Sequence, residues 1–244
     1  MSASPPSSLI WDVIRYGIVA VGTGVLIWFY FFYTPTEYVS REHTGSTQDT
    51  PYIVKVARFP DHADWNQLAE SIRHRLDALE QTDPEDIVRT VQSAFPAELA
   101  IDLAAVAQGV AIDSIAELLE QHGIEDYLIE LGNSVRSKGQ KGKDRDRDWL
   151  VGIEKPGREF SGIHRTLALH NQSFATVGDD DHSVTVIASS SASANAWASA
   201  MLVLGKQRGR ELAEQQGLAV LFLLRSGGEI EETASKGWAG LAAR

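Results

Sequence analysis

The chain has 244 residues and no cysteine, which excludes disulfides, thiolate metal sites and a cysteine nucleophile. Its formal net charge of −11 falls after residue 33 and argues against a nucleic-acid partner. At 43% hydrophobic and 23% charged residues the composition is that of a globular protein; beyond an apolar N-terminal stretch roughly 200 residues remain, enough for one well-buried domain.

Residues 1–15 are a lead, rich in Ser and Pro over Met1 to Ser8. Residues 16–33 carry no charge and suffice to span a hydrocarbon core, and the run Trp28-Phe29-Tyr30-Phe31-Phe32-Tyr33 suits a membrane interface. This stretch reads as a transmembrane anchor. The rival reading, a cleavable signal peptide, wants a basic n-region and a small-x-small exit, and the run leaves through Phe32, Tyr33 and Pro35 instead. Arg15 before it and Glu37 and Glu42 after it place the N-terminus inside and the body on the outer, periplasmic side. Residues 34–50 read as a linker, 51–235 as a single domain and 236–244 as a tail, with Trp238 docking on the body.

Within the domain, Tyr52 to Val56 alternates as a strand, and Asp64 caps a helix with Trp65, Leu68, Ile72, Leu76 and Leu79 inward. Asp83-Pro84-Glu85 opens a second helix. Asp77, Glu80 and Asp86 read as a solvated helix face rather than a metal site. A strand at 99–103 leads to a turn at Gln108-Gly109. Val106, Val110, Ile112, Ile115, Leu118 and Leu119 then recur at helical spacing up to a stop at Gly123. Tyr127 to Leu131 is a buried strand, ended by a turn at Gly132-Asn133. Lys138 to Asp148 alternates charge like a hydrated hairpin tip, and Trp149 to Pro156 is a strand closed by a proline turn. Thr166 to His170 and Ser173 to Val177 predict a hairpin around Asn171-Gln172.

Asp180, Asp181 and His182 read as an acidic tight turn in preference to a metal cluster. Ser183 to Ala188 is a buried strand. Ser191 is expected to cap a helix of small residues from Ala192 to Leu204, ended by Gly205. A further helix from Lys206 to Gln216, a strand from Ala219 to Leu224 and a turn at Ser226-Gly227-Gly228 complete the domain. The fold class expected is α+β or α/β, with mixed sheets flanked by helices.

Six segments, in this order, resemble the ApbE family, the FAD:protein FMN transferases. Gly45-Ser46-Thr47 before a strand is similar to that family's opening Gly-Thr-Thr. Ala104-Ala105-Val106-Ala107-Gln108-Gly109-Val110-Ala111-Ile112-Asp113 keeps the register of Gly-Gly-Ile-Ala-Lys-Gly-Tyr-Ala-Val-Asp, without its two leading glycines and its lysine. Leu131-Gly132-Asn133 resembles Leu-Gly-Gly, Trp149 to Pro156 resembles Trp-x-Ile-Gly-Ile-x-x-Pro, and Ala175-Thr176-Val177-Gly178-Asp179 resembles Ala-Thr-Ser-Gly-Asp. Asn195-Ala196-Trp197-Ala198-Ser199-Ala200-Met201 stands where the family has Asp-Ala-Leu-Ala-Thr-Ala-Leu. The long loop bearing His-Ile-Ile-Asp-Pro-Arg-Thr-Gly is missing, as is a Phe-Asp-Pro-Thr-Val-Gly-like turn.

The resemblance implies a T-fold-like domain that moves FMN from FAD to a Thr or Ser hydroxyl of a membrane-associated acceptor protein, with magnesium at the diphosphate. Carried over by position, it implies metal ligation by the Ala107 carbonyl, Asn195 and Ser199, and flavin or diphosphate contacts from Gln108, Gly109, Asp113, Gly132, Thr176 and Asp179. It implies no particular catalytic residue here. Asn195 offers a carbonyl oxygen but no charge, so a Mg²⁺ site should be weakened. Asn195 and Ser199, four apart on one helical face, fit a site remnant or a small-residue packing helix equally well. The alternative function is a degenerate, non-catalytic flavin- or protein-binding member of the same fold.

Overall fold

The computed structural model describes residues 39–242, apart from 62, 84, 88, 90–94, 96–101, 143–144 and 158–161. The expected anchor at 16–33, the lead before it and most of the strand expected at 99–103 lie outside the described residues. No helix among the described residues is long and apolar enough to cross a membrane.

In chain order the elements are β1 (Val39–Thr47), β2 (Thr50–Phe59), α1 (Trp65–Glu80), α2 (Leu103–Gln121), β3 (Tyr127–Leu131), β4 (Ser134–Lys138) and β5 (Trp149–Glu154). They continue with β6 (Ile163–Leu169), β7 (Ser173–Gly178), β8 (His182–Ala188), α3 (Ser191–Gln216), β9 (Ala219–Ser226), β10 (Glu229–Ala234) and α4 (Lys236–Ala242). Eight strands form one sheet in the order β1-β2-β3-β4-β7-β8-β9-β10, and β5 pairs with β6 in a second. Every strand pairing given for these elements is antiparallel, so the fold is α+β, and the expected mixed sheet is corrected.

The central strands of the main sheet are buried on both faces, while the edge strands β1 and β10 are largely exposed or half-buried. Tyr52, Val54 and Val56 of β2 and Ile129 of β3 pack with Ile72 of α1 and Ile115 of α2. Ala175, Val184 and Val220 on later strands pack against Ala194, Ala198 and Met201 of α3. The opposite face meets the β5–β6 hairpin and α4: Leu128, Val135 and Phe174 pack with Trp149, Val151 and Leu169, and Trp238 is 1% exposed among them. Docking of Trp238 is therefore as expected, within a short helix rather than a tail. Covered on both faces, β9 reads as a continuous apolar run from Ala219 to Leu224, whereas Lys55 and Arg136 interrupt β2 and β4.

Several local expectations are corrected. Residues 39–47, expected in the linker, form the edge strand β1, turned into β2 through Gln48 and Asp49 at φ 48° and 60°. Gln108-Gly109 is no turn. Asp102 caps α2, accepting from the Ala104 and Ala105 N–H groups at 2.9 and 3.3 Å, and the helix runs unbroken through both residues. Thr166–His170 and Ser173–Val177 are no hairpin, because β6 pairs with β5 while β7 joins β4 and β8; at Asn171, φ 54°, the chain steps from one sheet to the other. The cap of α3 is Ser190, whose hydroxyl accepts from the Ser193 N–H at 3.2 Å. Gly205, at φ 72°, interrupts that helix where the sequence places its break.

Gly109 owes its place to packing. A Cβ there would lie 2.5 Å from the Ser191 carbonyl oxygen and 2.6 Å from Ala192 Cα, both backbone atoms of α3. Helix propensity alone makes Gly109→Ala stabilising by about 0.5–1 kcal/mol. The overlap reverses the sign, and we expect a loss of about 1–3 kcal/mol in urea unfolding. A variant as stable as the parent would show that α2 and α3 are not in this contact.

Candidate functional site

The β3–β4 turn joins the two sides of the sheet. Gly132 takes φ 55°, a conformation glycine adopts without strain. Its missing Cβ would sit 3.5 Å from Gln108 Oε1 on α2. The Asn133 carbonyl accepts from the Thr176 N–H at 3.0 Å, so the turn is bonded to β7. Ser134, the next residue, donates its hydroxyl to Asn195 Oδ1 on α3 at 3.0 Å.

A cavity of about 600 Å³ opens beside this turn, between the main sheet and the β5–β6 hairpin. Phe174, Thr176 and Ser183 line it from β7 and β8, Gly132 and Asn133 from the turn, and Val151 and Gly152 from β5. Thr176 and Thr185 oppose one another in the β7–β8 ladder and their hydroxyls are 2.8 Å apart. The Ser183 Oγ is buried without a hydrogen-bond partner. Glu130, Glu154, Asp179 and Asp180 bring four carboxylates to the lining, and Lys155 is the lysine among them. Glu130 is paired with Lys55 at 3.2 Å.

The β7–β8 connection is closed by Asp179, whose Oδ1 accepts from the N–H groups of Asp181 and His182 at 2.9 and 2.8 Å. Those two bonds, with a smaller contribution from the His182 ring, hold the Asp179 carboxyl below the usual range. The expected acidic tight turn is present, and among the described residues no group of three or more His, Asp or Glu is arranged to hold a metal.

Of the residues proposed for flavin contact, Gly132, Thr176 and Asp179 line this cavity together. Gln108 reaches Gly132 from the helical side and lines, with Ala107, a crevice of about 30 Å³ next to Thr47 and Glu80. Gly109 is packed on α3. Asp113 is engaged elsewhere: its carboxylate accepts from the Ser191 and Ala192 N–H groups, both at 2.9 Å, and pairs with Arg136 at 2.5 Å. It supports the positive end of α3. Burial disfavours the Arg136 charge, but Tyr127 and Asp113 outweigh it and hold the guanidinium firmly protonated. The sequence singled out the Gly132-Asn133 turn but not Ser134, Lys155 or Ser183, whose signals were nearness to the Leu-Gly turn, membership of the Trp149 to Pro156 motif and nearness to the Gly-Asp turn.

The proposed metal ligands do not form an open donor set. Asn195 and Ser199 are 2% and 3% exposed. Asn195 Nδ2 donates to the Ser191 carbonyl at 2.9 Å, its Oδ1 accepts from Ser134, and the Ser199 hydroxyl donates to the Asn195 carbonyl at 2.9 Å. Ala107 lies inside α2, where carbonyls serve the helix. Mg²⁺ wants near-octahedral oxygen ligands, usually a carboxylate and water. These three residues supply neither, so they do not fit the ion.

Asp113→Ala would leave Arg136, 22% exposed at its side chain, without its nearest partner and free two N–H groups at the start of α3. We expect a loss of about 2–3 kcal/mol by urea unfolding, between a surface pair and a fully buried one, with the two freed N–H groups adding to it. A loss under about 1 kcal/mol, the range of a surface pair, would refute the central place given to this contact.

Comparison with known proteins places this geometry. The ApbE family model matches residues 49–183 and 180–222. FAD:protein FMN transferase of Escherichia coli is 29% identical over 156 residues, covering 53% of this chain and 44% of that protein. The enzyme of the same name from Haemophilus influenzae is 28% identical over 164 residues, with coverage of 56% and 46%. The chain thus spans less than half the length of these curated relatives. Flavin transferase ApbE from Vibrio cholerae has the same fold, with a TM-score of 0.69 at 19% identity over 83% of this chain and 100% of that one. The apo flavinyl transferase ApbE from Pseudomonas stutzeri superposes with a TM-score of 0.70 at 22% identity, over 84% and 97%. The family match extends through the turn, the cavity strands and the helix that packs behind them, and on that ground the chain belongs to the ApbE family.

Proposed function

We propose that the cavity between the main sheet and the β5–β6 hairpin takes a flavin nucleotide, FAD, and that the chain acts as an FAD:protein FMN transferase. In that reaction a Thr or Ser hydroxyl oxygen of an acceptor protein bonds to the FMN phosphorus of FAD. The diphosphate bond breaks, AMP leaves, and the hydroxyl proton is released. The observation that carries the reading is the convergence of Gly132, Thr176 and Asp179 on one cavity of ligand size inside the family-matched region. Four carboxylates against Lys155 favour the hydroxyl and N–H donors of a flavin–ribityl moiety, and Lys155 is suited to its phosphate. No step is routed through a cation at Asn195 and Ser199.

The second reading, flavin binding without transfer, is favoured by the closed hydrogen bonding of Asn195. Fluorescence titration with FAD, followed by chromatography for AMP in the presence of a Thr-bearing acceptor peptide, separates the two. The first reading expects micromolar binding and AMP release; the second expects binding with none. Absence of flavin binding would sink both. Thr176→Val removes the hydroxyl bonded to Thr185, and we expect FAD affinity to fall roughly tenfold, the worth of one good hydrogen bond.

The membrane anchor, the membrane-associated acceptor and the outer location of the domain complete the proposal, on the uncharged run at 16–33. An alkaline phosphatase fused after residue 38 should be active in bacterial cells. An inactive fusion would reverse the orientation.

A further inference from the structure

We infer that the Ser134–Asn195 hydrogen bond is a neutral, cation-independent strut that positions the β3–β4 turn against the cavity, at the point where a divalent ion was expected. The polarity of the Asn195 side chain is fixed by its neighbours. The Ser191 carbonyl can only accept, so the amide nitrogen faces it at 2.9 Å, and Oδ1 is left to accept from the Ser134 hydroxyl at 3.0 Å. A carboxylate in the same rotamer would set two acceptors against each other at that distance. The site is therefore built for an amide. The Ser199 hydroxyl is turned onto the Asn195 carbonyl, one helical turn back, which uses its single proton within α3.

The strut reaches the ligand side through the backbone. Ser134 directly follows Gly132 and Asn133, which line the cavity, and Asn133 is bonded to Thr176 of the same lining. At its other end Asn195 lies four residues beyond Ser191, whose N–H is held by Asp113. The turn is thus tied to a rigid helix end by two uncharged groups, both buried and both satisfied. Asn195 and Ser134 are positioning residues for the cavity.

The test compares the purified full-length chain with Asn195→Ala, Ser134→Ala and Ser199→Ala in thermal unfolding, in 1 mM EDTA and in 10 mM MgCl₂. A Mg²⁺ site with a Kd near 0.1 mM would raise Tm by roughly 6 °C at that concentration. We expect parent and variants to respond to MgCl₂ alike, within about 1 °C. A response of the parent exceeding that of Asn195→Ala, or of Ser199→Ala should the former not fold, by more than about 3 °C would overturn the inference. The positioning role is read separately. Ser134→Ala and Asn195→Ala should each weaken FAD binding several-fold, equally in EDTA and in MgCl₂, and unchanged affinity in both would overturn it. This arm rests on the proposed flavin reading. If the parent binds no FAD, that reading fails, while the unfolding comparison still decides whether the strut is free of cations.

Discussion

The Asp113 carboxylate holds the arrangement together. It starts on α2, receives the first two N–H groups of α3 and pairs with Arg136 on β4, so three elements meet at one side chain. A partly buried carboxylate is costly to desolvate unless its oxygens are bonded. Here two backbone donors and a guanidinium offset that cost, and the positive end of α3 adds to the attraction. Gly109 lies one turn earlier on α2 and lets α3 approach to backbone contact. The carboxylate and the missing side chain together fix the angle at which α3 enters.

That entry angle decides what the small-residue helix can do. With α3 held this close, Asn195 lies under the β3–β4 turn, and its amide is drawn into bonds with Ser134 and Ser191. A cation would need carboxylate or water in that space. The opposite side of the turn faces a cavity whose charge is predominantly acidic. Hydrogen-bond donors of a ligand are matched by such a lining, with Lys155 as its cation. Shortening of the β7–β8 connection to a self-bonded Asp179 turn leaves that cavity without the long loop expected from the family.

The two sides of the sheet therefore have different tasks. The helical side carries the support: Asp113 with Arg136, Gly109 against α3, and Asn195 beneath the turn. The hairpin side carries the space, floored by Thr176 and Ser183 and roofed by Val151 and Gly152. The β3–β4 turn belongs to both, and a change on one side reaches the other through three consecutive residues.

By itself the sequence determined the elements whose signals are local. Asp64 capping α1 depends on a side chain bonding the backbone next to it, the stop at Gly123, the break at Gly205 and the turn at Gly227-Gly228 on the positive φ glycine allows, and the apolar period of α2 on spacing within the helix itself. The order of short motifs likewise carried the family. What only the tertiary structure decided depends on partners distant in the chain. Gly109 was read as a turn glycine because the backbone of α3 that demands its small size lies some eighty residues later. Asp113 was read as a ligand contact because nothing nearby reveals the N–H groups it receives. Asn171 was read as a hairpin turn because alternation in β6 and β7 is the same whether the strands pair with each other or with different sheets. Asn195 and Ser199 had the spacing of a metal site and of a packing helix alike; the choice fell to Ser134, brought within 3.0 Å by the sheet. Spacing fixes which face of a helix a residue occupies, and the fold fixes what that face meets.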